Sequence, residues 1–522
     1  MASYSPDKAY TSGVEIENAT VATTGEHLTA VIAEEKIHNA DDALQFVAEH
    51  FVQFTPEEER SVRRKIDWRL VPIMLVVNGI QFVDKLTISY AATYGLIKEA
   101  HLKGQQFSTL ITLFYVGYLV AQYPANYIMQ RYPVGKVITI AFLLWGITLA
   151  TMGSATKFST LAAARFFLGV FESCVNPGFI LITSSWWKRE EQMARIGFWY
   201  SANGLFGLPA VMIFYGIAHI KSSLYPYQWM FIIFGVLTII IGISLWWTMP
   251  DSPTNARFLT ERERAIAVER LSSNKTGIKN AQHKPSQIIE CLTDVKVWLL
   301  VFGIFWHNMT NSLQTNFLGL ILKGYGYSTY EAVLFNLPAS AVAAAAILLI
   351  SLLNRSRHIE GRRIFLIMAL YLPGIMACAI LYVVPLKRSN RAIHLFAVWS
   401  VPAVAAAAGV QYSLLASNVA GYTKKTIAGA MFFAAYCVAN IVTPQTFLAS
   451  QAPKYTTGVI VTLSAFCINI ALFAILYVLY RAENAKRNRL DEGEVSLDQT
   501  VDLIDSFSDL TDKQNKKMRY KL

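Results

Sequence analysis

The chain alternates between long apolar blocks and short polar connections, and the blocks share one length. Stretches such as 229–249, 392–415 and 459–480 carry little or no charge. Each is about 20 residues long or more, enough to cross ~30 Å of hydrocarbon as a helix. No apolar/polar alternation of period two runs through them, so a membrane-spanning strand barrel is a poor fit. The pattern predicts twelve spans, at 68–90, 107–129, 137–156, 161–186, 196–219, 228–249, 297–321, 331–353, 364–385, 392–415, 427–449 and 457–480. Ahead of the first span, Thr55 and Glu58 have the spacing of a capping box, and Pro56 suits a first helical position. The expected protein is all-α and membrane-embedded. A polar tail (1–67) precedes a six-helix half (68–249), a charged linker (250–296), a second six-helix half (297–480) and a second polar tail (481–522).

Composition agrees with this reading. Of 522 residues, 54% are hydrophobic and only 16% charged, whereas soluble domains hold about a quarter charged residues. The net charge of +11 does not signal nucleic acid, because Lys and Arg gather in the connections between apolar blocks. With the N-terminus placed in the cytosol, 20 Lys and Arg flank the inner ends of spans and 9 the outer ends, the linker not counted. Positive charge is retained on the cytosolic side, so both tails and the linker are expected there. Residues 1–67 lack the apolar run of a cleavable signal, and the first span is expected to direct insertion. The five cysteines show no metal-ligand spacing. No nucleophile constellation is present either, so neither an enzyme activity nor a cofactor is expected.

Four charged residues lie inside the spans: Asp84 and Lys85 in the first, Arg165 and Glu172 in the fourth. Each costs about 2.5–3.5 kcal/mol near a helix centre on insertion scales. Arg165 and Glu172 are seven residues apart, two helical turns, and so share a face. By depth, Asp84 and Lys85 fall between them. Such a set either holds two helices together as an ion-pair network or lines a path for substrate and protons; Arg165 alone could also snorkel to the outer interface. The second half carries polar but uncharged groups instead: His307, Asn308, Asn311, Gln314, Thr315 and Asn316 in span seven, Gln411, Tyr412 and Ser413 in span ten. Asn308, Asn311 and Thr315 follow helical spacing. They either bond neighbouring helices or line a wet pathway. His307 reads as a hydrogen-bonded core histidine rather than a proton relay.

Six spans, a linker and six more spans resemble the major facilitator superfamily. Phe82-Val83-Asp84-Lys85, the segment Arg165 to Glu172, Asn176-Pro177-Gly178, Trp186-Trp187, Met249-Pro250-Asp251-Ser252-Pro253 and Phe258-Leu259-Thr260-Glu261-Arg262-Glu263-Arg264 resemble its anion:cation symporter family. The segment Ser417 to Lys425 and Ala452-Pro453-Lys454-Tyr455 are similar to the fungal allantoate permease subfamily. The resemblance implies a monomeric permease that moves a small organic anion with protons by alternating access. The anion would be a carboxylate such as a vitamin acid, ureido acid or amino acid. It implies proton coupling at Asp84 and Glu172, and anion binding at Lys85 and Arg165. Asn308, Asn311, Gln314, Gln411 and Tyr412 complete the candidate substrate site. The expected location is the plasma membrane, with the endoplasmic reticulum or another internal membrane as the alternative. A different class of function on the same fold is a nutrient sensor that does not transport and signals through its tails.

The charge bias carries a direct test. Tags in 1–67, 250–296 and 481–522 should all be cleaved by protease only from the cytosolic side. A tag reached from outside intact cells, in any one of the three, overturns this topology.

Overall fold

The computed structural model describes residues 54–272, 284–354, 361–385, 387–491, 510–516 and 518–522. Expectations for most of the first tail, for linker residues 273–283 and for tail residues 492–509 lie outside them. Among the described residues no strand forms, and twelve helical passages follow one another. Ten helices are long and apolar enough to cross a membrane. The second passage, Gln106–Arg131, is long but diluted by Gln122, Asn126, Gln130 and Pro124. The seventh runs as Val295–Asn308, a wide π turn at Leu313–Phe317, and Leu318–Gly324. Within that turn the Thr315 hydroxyl donates to the Asn311 carbonyl, one turn back, at 3.0 Å.

The first helix, Pro56–Thr93, runs unbroken for 38 residues, about 57 Å at 1.5 Å per residue, far longer than a bilayer core. Its start is the expected capping box. The Thr55 amide donates to Glu58 Oε2 at 3.0 Å, and the Glu58 amide donates to Thr55 Oγ1 at 3.3 Å.

The chain forms two compact units. The first gathers the start of the first helix with 183–193 and the segment after span six. Charge pairing holds it. Arg270 is buried and meets Glu59 at 3.6 Å and Glu191 more closely; Lys188 also pairs with Glu59 at 2.5 Å. Trp187 donates to Asp67 at 2.7 Å, and Arg262 binds Glu58 at 2.9 Å. Burial opposes the charge of Glu263, but its hydrogen bonds to Lys65 and the Thr260 amide hold that carboxyl below the usual range. The motifs Trp186-Trp187 and Phe258 to Arg264 thus serve this charged cluster.

The second unit holds the membrane-spanning bundle. Glycines let its helices touch backbone to backbone, the usual device where no hydrophobic effect drives helices together. A Cβ on Gly117 would sit 2.2 Å from the Phe166 carbonyl oxygen, and one on Gly169 would sit 2.0 Å from that of Phe114. Spans two and four therefore meet at these two residues. Spans three and six cross in the same way, a Cβ on Gly235 lying 2.4 Å from the Ala150 amide nitrogen and one on Gly146 lying 2.9 Å from that of Ile239. Between the halves, the Thr112 hydroxyl donates to the Ile441 carbonyl at 2.9 Å, Gln105 donates to the Gln445 carbonyl at 3.2 Å, and Lys323 donates to the Thr93 carbonyl at 3.0 Å. These ties lie toward the end of the bundle away from the tails. Many large apolar side chains stay exposed along the spans, among them Ile140, Ile147, Ile240 and Trp247, as a lipid-facing surface requires.

The Gly117–Gly169 crossing has no room for a methyl group. Gly169→Ala should lower the melting temperature and the folded yield, since overpacking costs about 1–3 kcal/mol or more. Gly409→Ala, where nothing lies within 4 Å of the added Cβ, should be neutral in the same detergent-melting assay. Equal behaviour of the two variants would rule out the close crossing.

Candidate functional site

The four intramembrane charges come together. Span four is helical over Phe158–Glu172 and resumes at Val175–Trp186. Its Gly169 seats it against span two, which aims Arg165 and Glu172 inward. Asp84, Arg165 and Glu172 are all at most 3% exposed. The Lys85 ammonium lies 4.0 Å from Glu172 Oε2, and Lys85 keeps 23% of its side chain exposed. Trp145 on span three donates from Nε1 to Asp84 Oδ2 at 2.7 Å. Gln81 approaches the Glu172 main-chain carbonyl at 3.5 Å.

What these groups lack is equally informative. Arg165 Nε, Asp84 Oδ1 and both Glu172 carboxylate oxygens are buried without a hydrogen-bond partner. Among the described residues no carboxylate comes within 4 Å of Arg165. Its guanidinium instead lies over the Phe114 ring, 5.3 Å from the centroid, a cation–π contact that partly offsets its lost hydration. Expected ion pairs thus shrink to one loose contact, Lys85 with Glu172. The set is loosely paired, with unbonded atoms left on one buried cation and two buried carboxyls.

Aromatic side chains wall this space. Lys85 Nζ sits 5.8 Å from the Tyr118 ring centroid. Tyr115 meets Tyr436 edge-on at 6.0 Å, and Tyr118 meets Phe433 at 5.6 Å. Asn176 donates to the Tyr118 hydroxyl at 3.2 Å. Sequence reasoning missed Trp145, Tyr115, Tyr118 and Tyr436. Aromatic residues are frequent in any apolar block, so nothing in their spacing singled them out. The one usable signal was Gly117, whose crossing with span four brings Tyr115 and Tyr118 beside the charged residues.

The polar residues of the second half divide into two groups. Asn311 donates to Asn440 Oδ1 at 2.7 Å, and Asn440 donates to Asn308 Oδ1 at 3.4 Å. Asn440 is one turn beyond Tyr436 on span eleven, so this trio borders the aromatic wall. Gln314 reaches Thr310 Oγ1 at 3.4 Å. Gln411 belongs elsewhere: it donates to the Tyr371 hydroxyl at 2.5 Å, which also bonds His307 Nδ1 at 3.0 Å. His307 is therefore a bonded core histidine, as its sequence context suggested. Tyr412 is 40% exposed and packs edge-on against Phe432 at 5.0 Å.

Similarity to known proteins follows the same lines. Residues 74–444 match the family model described as Major Facilitator Superfamily. An uncharacterized transporter of Schizosaccharomyces pombe is 37% identical, across 94% of this chain and 91% of its own. The allantoate permease of Saccharomyces cerevisiae is 33% identical, across 98% of this chain and 96% of its own. The crystal structure of a D-xylose-proton symporter shares the fold with a TM-score of 0.61 at 15% identity, covering 78% of this chain and 97% of that one. A model match over most of the chain, together with full-length relatives named as transporters and permeases, decides the matter: this protein belongs to the Major Facilitator Superfamily, and it is a membrane transporter rather than an enzyme.

Proposed function

We propose that the protein carries a small organic anion across the membrane together with a proton. The observation that carries this reading is the Arg165 guanidinium, buried at 3% exposure with its Nε unbonded. A buried cation without a close partner is costly by several kcal/mol, and an anionic ligand offsets that cost. Guanidinium binds a carboxylate through two parallel hydrogen bonds, which favours a carboxylic acid such as a vitamin acid, ureido acid or amino acid. The full-length relative named allantoate permease supports the same substrate class.

Charge balance supplies the coupling. Asp84 and Glu172 contribute two negative charges, Lys85 and Arg165 two positive, so the empty cluster sums to zero. Admitting a monoanion would leave a net charge in a low-dielectric interior, which is expensive. A proton on Glu172 restores neutrality. It also removes the partner of Lys85, 4.0 Å away, and frees that ammonium for the substrate. Asp84, bonded to Trp145 at 2.7 Å, stays as the fixed counter-charge of Arg165. One proton therefore accompanies each monoanion, and both cross as the halves rock about the site. Asn308, Asn311, Gln314 and Tyr412 contact the rest of the substrate from the second half. Both tails and the linker face the cytosol, and the membrane is the plasma membrane.

Uptake of a panel of labelled small carboxylates at two pH values tests the function as a whole; no acid-stimulated uptake of any of them would overturn it. Within that assay Arg165→Ala should weaken substrate binding at least about 30-fold, the equivalent of ~2 kcal/mol for truncating a buried charged hydrogen-bonding partner, with insertion unchanged. Unaltered affinity would transfer the role to Lys85.

Glu172→Gln mimics the protonated carboxyl. Substrate-for-substrate exchange in reconstituted vesicles should persist, because that half-cycle releases no proton, while accumulation driven by a pH gradient should vanish. A purely structural ion pair predicts instead a general loss of folded protein, by about 3–5 kcal/mol for an orphaned partner. Gradient-driven uptake surviving in the Gln variant moves the coupling role to Asp84.

A further inference from the structure

The last residues of the chain return to the bundle and dock on the second half. Among the described residues, 510–516 run mainly as turns and 518–522 take no regular secondary structure. They cross the tail-side ends of five spans and bond to each through side chains or main chain. Asp512 Oδ1 accepts from Lys424 Nζ of span eleven at 2.7 Å. The same ammonium donates to Asp294 at 2.7 Å and Glu290 at 2.9 Å, both at the entry to span seven. Lys424 is fully buried, and Asp294 and Asp512 are each 2% exposed. Three carboxylates converging within 4.8 Å could hold a metal ion, but the Lys424 ammonium already bonds all three.

The remaining contacts read main-chain groups, as a peptide-binding site does. Arg487 of span twelve donates to the carbonyls of Asp512, Asn515 and Met518 at 2.8, 3.3 and 2.6 Å. Asn484 binds both the amide and the carbonyl of Tyr520, at 2.9 and 2.8 Å. Asn418 of span ten does the same for Lys521, at 2.7 and 2.9 Å. The Arg363 amide of span nine donates to the Leu522 carbonyl at 2.8 Å. One aromatic anchor completes the set: Tyr520 stacks on Tyr480 at 4.7 Å, donates to Asp512 Oδ2 at 2.7 Å, and accepts from Lys296 at 2.7 Å.

We propose that this face of the second half is a peptide-binding groove and that residues 510–522 are its detachable ligand, a strap that clamps spans seven, nine, ten, eleven and twelve into one rigid body. Side chains that pair off both the amide and the carbonyl of single residues, as Asn484 does at Tyr520 and Asn418 at Lys521, recognise a peptide main chain. They are not the apolar interdigitation of a permanent seam. Removing the strap leaves Lys424 with two carboxylates and Arg487 with three carbonyl partners fewer. The bundle then loosens at its tail side, where the second half must otherwise move as a unit. Attachment through residues 492–509 makes docking intramolecular and keeps the strap at high local concentration.

The test uses the full chain with a specific protease site inserted within 492–509, cut after purification so that folding is unaffected. The cut strap should wash off, the melting temperature should fall by several degrees, and a synthetic peptide of residues 510–522 should restore it with a saturable dose dependence. A peptide bearing Asp512→Asn should bind at least tenfold more weakly. One bearing Thr511→Glu should not restore the melting temperature. It adds a carboxylate where the Thr511 hydroxyl donates to Glu290 at 2.9 Å. A strap that stays bound through washing makes the groove a permanent seam and overturns detachability. A strap that leaves without lowering the melting temperature overturns the clamp. Neither readout depends on substrate, so an absence of anion uptake would count against the proposed function and not against the strap.

Discussion

Charge in hydrocarbon is tolerated only when it is balanced, and the membrane part of this protein is arranged around that constraint. Two anions and two cations on spans one and four must lie close enough to neutralise one another, yet only one pair, Lys85 with Glu172, comes within 4.0 Å. The balance is collective. Close approach of spans two and four at Gly117 and Gly169 brings Arg165 and Glu172 to the depth of Asp84 and Lys85. Glycines on spans three and six play the same part for Trp145, which is fully buried beside Gly146 and holds Asp84. Take away the small residues and the charges would be stranded in lipid.

The two halves divide the labour unequally. The first supplies the four intramembrane charges, Asp84, Lys85, Arg165 and Glu172. The second supplies Tyr436 and Phe433, which close over Tyr115 and Tyr118, and the Asn308–Asn311–Asn440 trio. The loosely paired charged cluster thus faces an aromatic and amide wall contributed by the other half. Full pairing would have made the first half more rigid and less able to exchange partners.

The same rule of neutral, hydrogen-bonded charge clusters recurs outside the site with a different outcome. Around Arg270 the partners are Glu59 and Glu191, and around Lys424 they are Glu290, Asp294 and Asp512. In the Lys424 cluster the cation is saturated by three short contacts. At Arg165 it is not saturated. Saturation of the buried cation separates the Lys424 cluster from the Arg165 cluster within this one chain.

Much of the architecture was legible in the one-dimensional pattern. Block length predicts the spans, because a bilayer imposes one length on every helix that crosses it. The capping box at Thr55 and Glu58 formed as its spacing requires, since the contact involves only neighbours in the chain. The four intramembrane charges stood out because their cost is paid residue by residue, whatever the fold. Other features depended on which helices touch. The assignment of Gln411 to Tyr371 rather than to the charged site, and the bonds of Trp145 to Asp84 and of Asn440 to Asn308 and Asn311, all arise from contacts between distant segments. The sequence alone thus determined which groups are too costly to be idle, and the tertiary structure decided which partners they have, because a hydrogen bond across helices depends on packing distances that no local spacing encodes.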